Sequence, residues 1–132
     1  MDFEQKKLQE LHADINKWKE LVELVRDETR IFEHQLEQIL QAGPSREVMP
    51  YIQKFESMFI RQNEVSDELF HDLKAADHEL KQMIDEDPVV LNVPLPDHDH
   101  LRDKVNTYEN LFLELRNEFR HFHLMASHPE AH

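Results

Sequence analysis

The chain of 132 residues contains no cysteine and a single glycine. Without cysteine it has no disulfide bonds, no thiolate nucleophile and no cysteine-based zinc site. With one glycine it cannot build the glycine-rich loops that hold nucleotide phosphates, and no serine has the flanking glycines of a nucleophile elbow. These absences predict a protein that is not an enzyme and that binds no cofactor.

Long apolar runs are also missing. No stretch approaches the roughly 20 apolar residues of a membrane span, and the N-terminal residues lack the apolar core of a signal peptide. Acidic residues outnumber basic ones by 28 to 15, which gives a formal charge of −13. This charge repels phosphate backbones and anionic lipid. We therefore expect a cytoplasmic protein with no nucleic-acid or membrane partner, whose charge either attracts a basic protein or a metal cation, or serves solubility alone.

What the sequence does contain is apolar residues at helical spacing. The first such series alternates steps of three and four residues, which is typical of a long amphipathic helix with a coiled-coil-like seam. Its members are Leu8, Leu11, Ile15, Trp18, Val22, Val25, Thr29, Phe32, Leu36 and Ile39. We predict a helix over 3–42, because Gly43 suits a left-handed C-cap and Pro44 follows it.

A second series predicts a helix over 45–86. Ser45 can serve as its N-cap, but Pro50 disfavours a start so far upstream, and the alternative is a separate turn followed by a helix from about Met49. The seam of this helix consists of Ile52, Phe55, Phe59, Gln62, Ser66, Leu69, Leu73, Ala76, Leu80 and Met83. Beside it runs a stripe at intervals of seven residues: Tyr51, Met58 and Val65.

Residues 87–97 contain three prolines and several apolar side chains. We predict an extended linker that lies against one end of the molecule. A third helix is predicted over 97–126, with Asp97 or Asp99 as its N-cap. Its seam consists of Leu101, Val105, Tyr108, Phe112, Leu115, Phe119 and Phe122. Three matching seams predict an all-α fold, an antiparallel up-down-up three-helix bundle that forms a single domain over 1–132. The alternative is a helical hairpin that dimerises.

Polar residues interrupt the first two seams. Pairing the helices around Gly43 brings Thr29 level with Gln62 and Ser66. This arrangement suits either a small polar pocket for a ligand or metal, or a set of buried polar residues that fixes the register of the helices. We favour the second interpretation, in which Gln62 and Ser66 bond to each other or to nearby carbonyl groups.

Two Glu-x-x-His steps suggest a metal site: Glu68 with His71, and Glu118 with His121. Four-helix di-iron proteins use this step because residues three apart share an inward face. Relative to the seams, however, Glu68 and His71 fall on the solvent side of their helix. Glu118 falls beside the core, and His121 falls farther from the core than Glu118. A metal-binding or di-metal carboxylate protein is therefore an alternative function with these four residues as candidate ligands.

Several apolar residues lie off the seams and predict an interaction surface: Leu24, Ile31, Ile60 and Leu113. They make a homodimer plausible, although single exposed apolar residues are common in monomers. Together with the absence of a catalytic constellation, they favour a non-enzymatic scaffold, adaptor or regulator that acts through protein–protein contact. A further alternative is an acidic inhibitor of the immunity or antitoxin type with a basic partner.

Two resemblances follow from short runs. The run Leu-His-Ala-Asp-Ile-Asn-Lys-Trp at 11–18 resembles the first helix of a spectrin-type repeat, which also buries a tryptophan among heptads. This implies a fold analogy only. The runs 26–37 and 59–65 are similar to small uncharacterised helical proteins of bacteria, which implies a bacterial cytosolic protein and no particular activity.

Overall fold

The computed structural model describes residues 3–85 and 97–127. Within them the chain forms three helices, α1 (Phe3–Gln41), α2 (Met49–Asp85) and α3 (His98–Ser127). They pack as a three-helix bundle, and this confirms the predicted all-α fold. Of the predicted linker 87–97, only Asp97 lies among the described residues, so its packing against the bundle stays a prediction.

The α1–α2 connection begins at the glycine that the sequence marks as a helix end. Gly43 has a φ of 73°, a left-handed conformation that glycine adopts without strain. A turn follows, in which the Val48 amide donates to the Ser45 carbonyl at 3.1 Å. The predicted start of the second helix at Ser45 is thus wrong and the alternative start at Met49 is right. Pro50 falls in the first helical turn, where its missing N–H removes no intrahelical bond.

The start of α3 follows the prediction. The Asp97 carboxylate accepts a hydrogen bond from the His100 amide at 3.1 Å, and the Asp97 carbonyl accepts one from the Leu101 amide. Asp97 is therefore the N-cap that satisfies a free amide of the first turn.

The three predicted seams meet in one core. All of their residues are buried apart from Leu11, Trp18, Met83 and Phe122, which are half-buried. Phe119 occupies a central position, with ring centroids 5.2 Å from Phe32, 5.3 Å from Phe55 and 5.1 Å from Phe59. Trp18, predicted to be a core residue, packs against the core and also stacks on His98 at a centroid distance of 4.8 Å.

Polar pairs flank the seam between α1 and α2. Lys19 donates to Asp77 at 3.0 Å, and the next pairs join Arg26 to Asp67 at 2.6 Å and Asn63 to Glu33 at 3.1 Å. As residue numbers rise along α1 they fall along α2, so these helices are antiparallel.

The seam between α1 and α3 is flanked by charges as well. Asp14 contacts His98 at 3.1 Å and Arg102 at 3.6 Å, and Glu28 faces Arg116 at 3.9 Å. Numbers rise together along the two helices, so α1 and α3 are parallel and the order is up-down-up, as predicted.

A candidate interaction groove between α2 and α3

The third interface, between α2 and α3, carries a regular series of apolar side chains along its flanks in addition to charged ones. The stripe of Tyr51, Met58 and Val65 runs along the α2 side. On the α3 side a matching series at intervals of seven residues faces it: Leu111, Glu118 and Met125. We call the surface between these two series the α2/α3 groove.

Two ion pairs cross the groove. Lys104 contacts Asp72 at 3.2 Å near the start of α3, and Lys54 contacts Glu118 at 3.5 Å nearer to its end. The second pair separates two apolar hollows. Because all four side chains are about half-exposed, each pair contributes little to folding stability.

The first hollow has a volume of about 490 Å³ and is lined mainly by apolar side chains. Phe55 and Phe122 form its base, with ring centroids 5.1 Å apart. Tyr51 stacks on Phe122 at 5.9 Å and forms a wall on the α2 side, while Met125 lines the α3 side. Aromatic and methionine side chains of this kind are common in surfaces that bind other helices.

The second hollow has a volume of about 350 Å³. Met58 and Val65 line it from α2 and Leu111 from α3, above the buried Tyr108 and Leu115. Leu111 is 55% exposed. These apolar side chains lie beside the buried seam and so widen the apolar face of each helix. A face of this width is typical of a helix that packs against more than two neighbours. Within residues 3–85 and 97–127, α2 and α3 each pack against two other helices.

A buried polar pair lies beneath the second hollow. Ser66 and Tyr108 share a hydrogen bond of 2.5 Å between their hydroxyl groups, and this bond joins α2 to α3. Burial raises the pKa of Tyr108, so its hydroxyl keeps its proton. Thr29 donates to the Val25 carbonyl of its own helix at 2.7 Å. The residues predicted to interrupt the seams are therefore buried as expected, but Ser66 pairs with Tyr108 rather than with Gln62.

The interaction surface predicted from four off-seam residues stays a prediction: Leu24, Ile31 and Leu113 each lie within one turn of the Glu28–Arg116 pair, whereas Ile60 lies apart from them. Leu24 and Ile31 are 56% and 55% exposed and lie one turn to either side of Glu28, which faces α3. Leu113 is only half-buried, whereas Ile60 is 60% exposed and lies in a separate hollow between α1 and α2. Sequence reasoning missed Leu111 and Met125, although the interval of seven that revealed Tyr51, Met58 and Val65 recurs on α3.

The four candidate metal ligands lie in two places. Glu118 and His121 line the first hollow, and Glu118 already contacts Lys54. Glu68 lines the far end of the groove and His71 is exposed. Glu68 lies 14 residues along α2 from Lys54, or about 21 Å at 1.5 Å per residue. Among the described residues, no three histidine, aspartate or glutamate side chains lie where they could hold a metal ion together.

A charged cluster that the sequence did not reveal lies on the opposite side of α2. Asp77 is only 3% exposed and contacts His12, Lys19 at 3.0 Å and Lys81 at 3.3 Å. Burial alone would raise the pKa of Asp77, but hydrogen bonds and positive charge from Lys19 and His12 together bring it below its ordinary value. The cluster satisfies a buried carboxylate and joins α1 to α2.

Comparison of the chain with family models, curated proteins and solved structures finds no match. Of the helices in the described part of the chain, none combines the length and the apolar character needed to cross a membrane.

Proposed function

We propose that this protein acts through protein–protein contact, as a scaffold, adaptor or regulator, and that the α2/α3 groove is its binding surface. The observation that carries this proposal is the pair of successive apolar hollows along α2/α3. Apolar side chains of both helices line these hollows beside the ion pairs, and Tyr51, Leu111 and Met125 remain open to solvent.

The occupant that suits such a groove is an amphipathic helix, whose apolar residues at i, i+3, i+4 and i+7 reach into successive hollows. From Tyr51 to Val65 the groove extends over 14 residues, or about 21 Å, which corresponds to about four turns of a partner helix. Tyr51, Leu111 and Met125 are 55%, 55% and 41% exposed. Covering each of them would contribute about 1 kcal/mol from apolar burial.

Site-specific photo-crosslinking tests the proposal. The chain offers a matched pair of positions, because Leu111 in the groove and Leu24 outside it are both leucines of equal exposure, 55% and 56%. Each is replaced in turn by benzoyl-phenylalanine, and the variant is irradiated in cells that contain the native partners. We expect a discrete protein adduct from position 111 and none from position 24.

An adduct at position 24 alone would contradict the proposal and would favour the surface predicted from the sequence. Absence of any adduct at position 111 would also contradict it. Among the described residues, no observation of comparable weight supports the metal-binding alternative or the acidic-inhibitor alternative.

A further inference from the structure

We propose that the occupant of the α2/α3 groove is a second copy of this chain, so that two bundles pair groove to groove. This inference rests on the proposed function and goes further by naming the partner. The charged residues along the α2 side and the α3 side of the groove, its two rims, carry the inference. Their pattern is self-complementary, which means that the α2 rim of one copy matches the α3 rim of a second copy in charge.

The α2 rim carries charged residues at intervals of seven, two basic and then one acidic: Lys54, Arg61 and Glu68. Each has an α3 residue of opposite charge along the same stretch of the groove, while Arg61 itself contacts Glu64 and Lys104 contacts Asp72. Lys54 contacts Glu118, Arg61 and Glu114 line the second hollow together, and Glu68 and Lys104 line the far end of the groove together. Where the α2 rim is basic, the α3 rim is therefore acidic, and where the α2 rim is acidic, the α3 rim is basic.

A twofold axis parallel to the helices converts this pattern into an interface. Such an axis keeps each residue at its level and places α2 of one copy opposite α3 of the other, with the two helices antiparallel. Arg61 then faces Glu114 of the second copy, Lys54 faces Glu118 and Glu68 faces Lys104. Each pair occurs twice, as in any isologous interface.

The apolar parts of the groove meet under the same operation. Tyr51, Met58 and Val65 of one copy lie opposite Leu111 and Met125 of the other, so that α2 and α3 of both copies form a four-helix layer. Charged residues beside an apolar seam set the choice and orientation of partners in coiled coils, and the rim residues would act in this way here.

The rims carry both signs of charge. The six residues above comprise three bases and three acids, and Asp72 and Asp103 add two acids at the far end of the groove. Repulsion between more distant charges of two acidic chains is screened beyond about 8 Å at physiological ionic strength.

A charge-exchange experiment tests the twofold arrangement. We expect the native chain, of 15.9 kDa, to have twice this mass in solution by sedimentation equilibrium. Arg61→Glu places acid against Glu114 of the second copy, and Glu114→Arg places base against Arg61. Since each variant repeats its like-charge contact twice, both should self-associate roughly tenfold more weakly or worse. An equimolar mixture should form a mixed dimer, because both contacts are then attractive.

Arg120→Glu is the matched control, since it makes the same change of charge at an exposed α3 position outside the rim. It should dimerise like the native chain. Circular dichroism of each variant shows that the helices are intact, and the mixed dimer is itself evidence that both variants fold.

Each other outcome overturns the inference. A native chain that stays monomeric up to high concentration, together with an adduct of different mass at position 111, would leave the proposed function standing and replace the second copy by another protein. A dimer that survives both single variants would place the contact elsewhere. Variants that stay monomeric when mixed would refute the pairing of positions 61 and 114.

Discussion

The hydrogen bond between Ser66 and Tyr108 allows a quantitative test of how buried polar residues hold α2 against α3. Ser66 is fully buried and Tyr108 is 3% exposed, so a hydroxyl that loses its partner there has little access to water. Removal of one partner of a buried hydrogen bond costs roughly 1–3 kcal/mol, whereas removal of both together costs less than the sum. A double-mutant cycle separates these cases.

The two single substitutions should differ. Ser66→Ala removes one of the two side-chain hydrogen-bond partners of the Tyr108 hydroxyl, the other being Gln62. This should cost about 2 kcal/mol, of which about 0.5 kcal/mol is recovered because alanine favours helix more than serine does. Tyr108→Phe should cost less, about 1 kcal/mol, because the Ser66 hydroxyl can turn to the carbonyl four residues back, as Thr29 does with Val25. The double variant should then cost about 1 kcal/mol less than the sum.

Urea and thermal unfolding followed by circular dichroism measure these costs. All variants are compared at one protein concentration, because the midpoint of any self-associating chain depends on concentration. For a chain of this length, 1 kcal/mol corresponds to roughly 4 °C in Tm, so Ser66→Ala should unfold about 6 °C lower. Strictly additive costs in the cycle would refute the reasoning. They would mean that water entering from the groove satisfies each hydroxyl separately.

Three further predictions concern stability. Asp77→Asn should destabilise the protein at neutral pH. Because the pKa of Asp77 is lowered in the folded state, the ionised carboxylate contributes to the free energy of unfolding. This contribution is fully present above the unfolded pKa of about 3.9 and disappears as pH falls through the folded pKa. The native chain should therefore lose its greater stability over the variant in acid. An equal deficit at pH 7 and pH 2 in urea unfolding would contradict this. Gly43→Ala should cost about 1 kcal/mol through backbone strain alone, since a Cβ there meets no atom within 4 Å, and an unchanged Tm would contradict it. Leu73→Ala, at a fully buried core position, should cost 2–5 kcal/mol in urea unfolding, whereas a loss below about 1 kcal/mol would mean that the core collapses around the cavity.

Much of the fold could be predicted from the sequence because its determinants are local. The seams specify helices through the spacing of residues three and four apart. Gly43 and Asp97 mark helix ends through the conformation of one residue and the side chain of another. The start of α2 was less certain, because Ser45 and Pro50 pointed to different positions and only the backbone bonds of the turn decided between them.

The candidate site was predictable only in part. The stripe of Tyr51, Met58 and Val65 is visible in the sequence, but its importance depends on the helix that lies opposite. Leu24 and Leu111 are equally exposed leucines and look alike in the sequence. Leu111 lies in a groove because the antiparallel register of α3 places it beside Val65, whereas Leu24 lies one turn from Glu28, which faces Arg116.

The sequence by itself thus determined which residues form helices and which face of each helix is buried, because spacing along one chain decides both. Tertiary structure alone decided which side chains meet between helices. Ser66 pairs with Tyr108, Asp77 is buried against Lys19 and His12, and Lys54 pairs with Glu118 across the groove. These contacts join residues tens of positions apart, so they depend on the relative shift and rotation of whole helices, which no local pattern specifies.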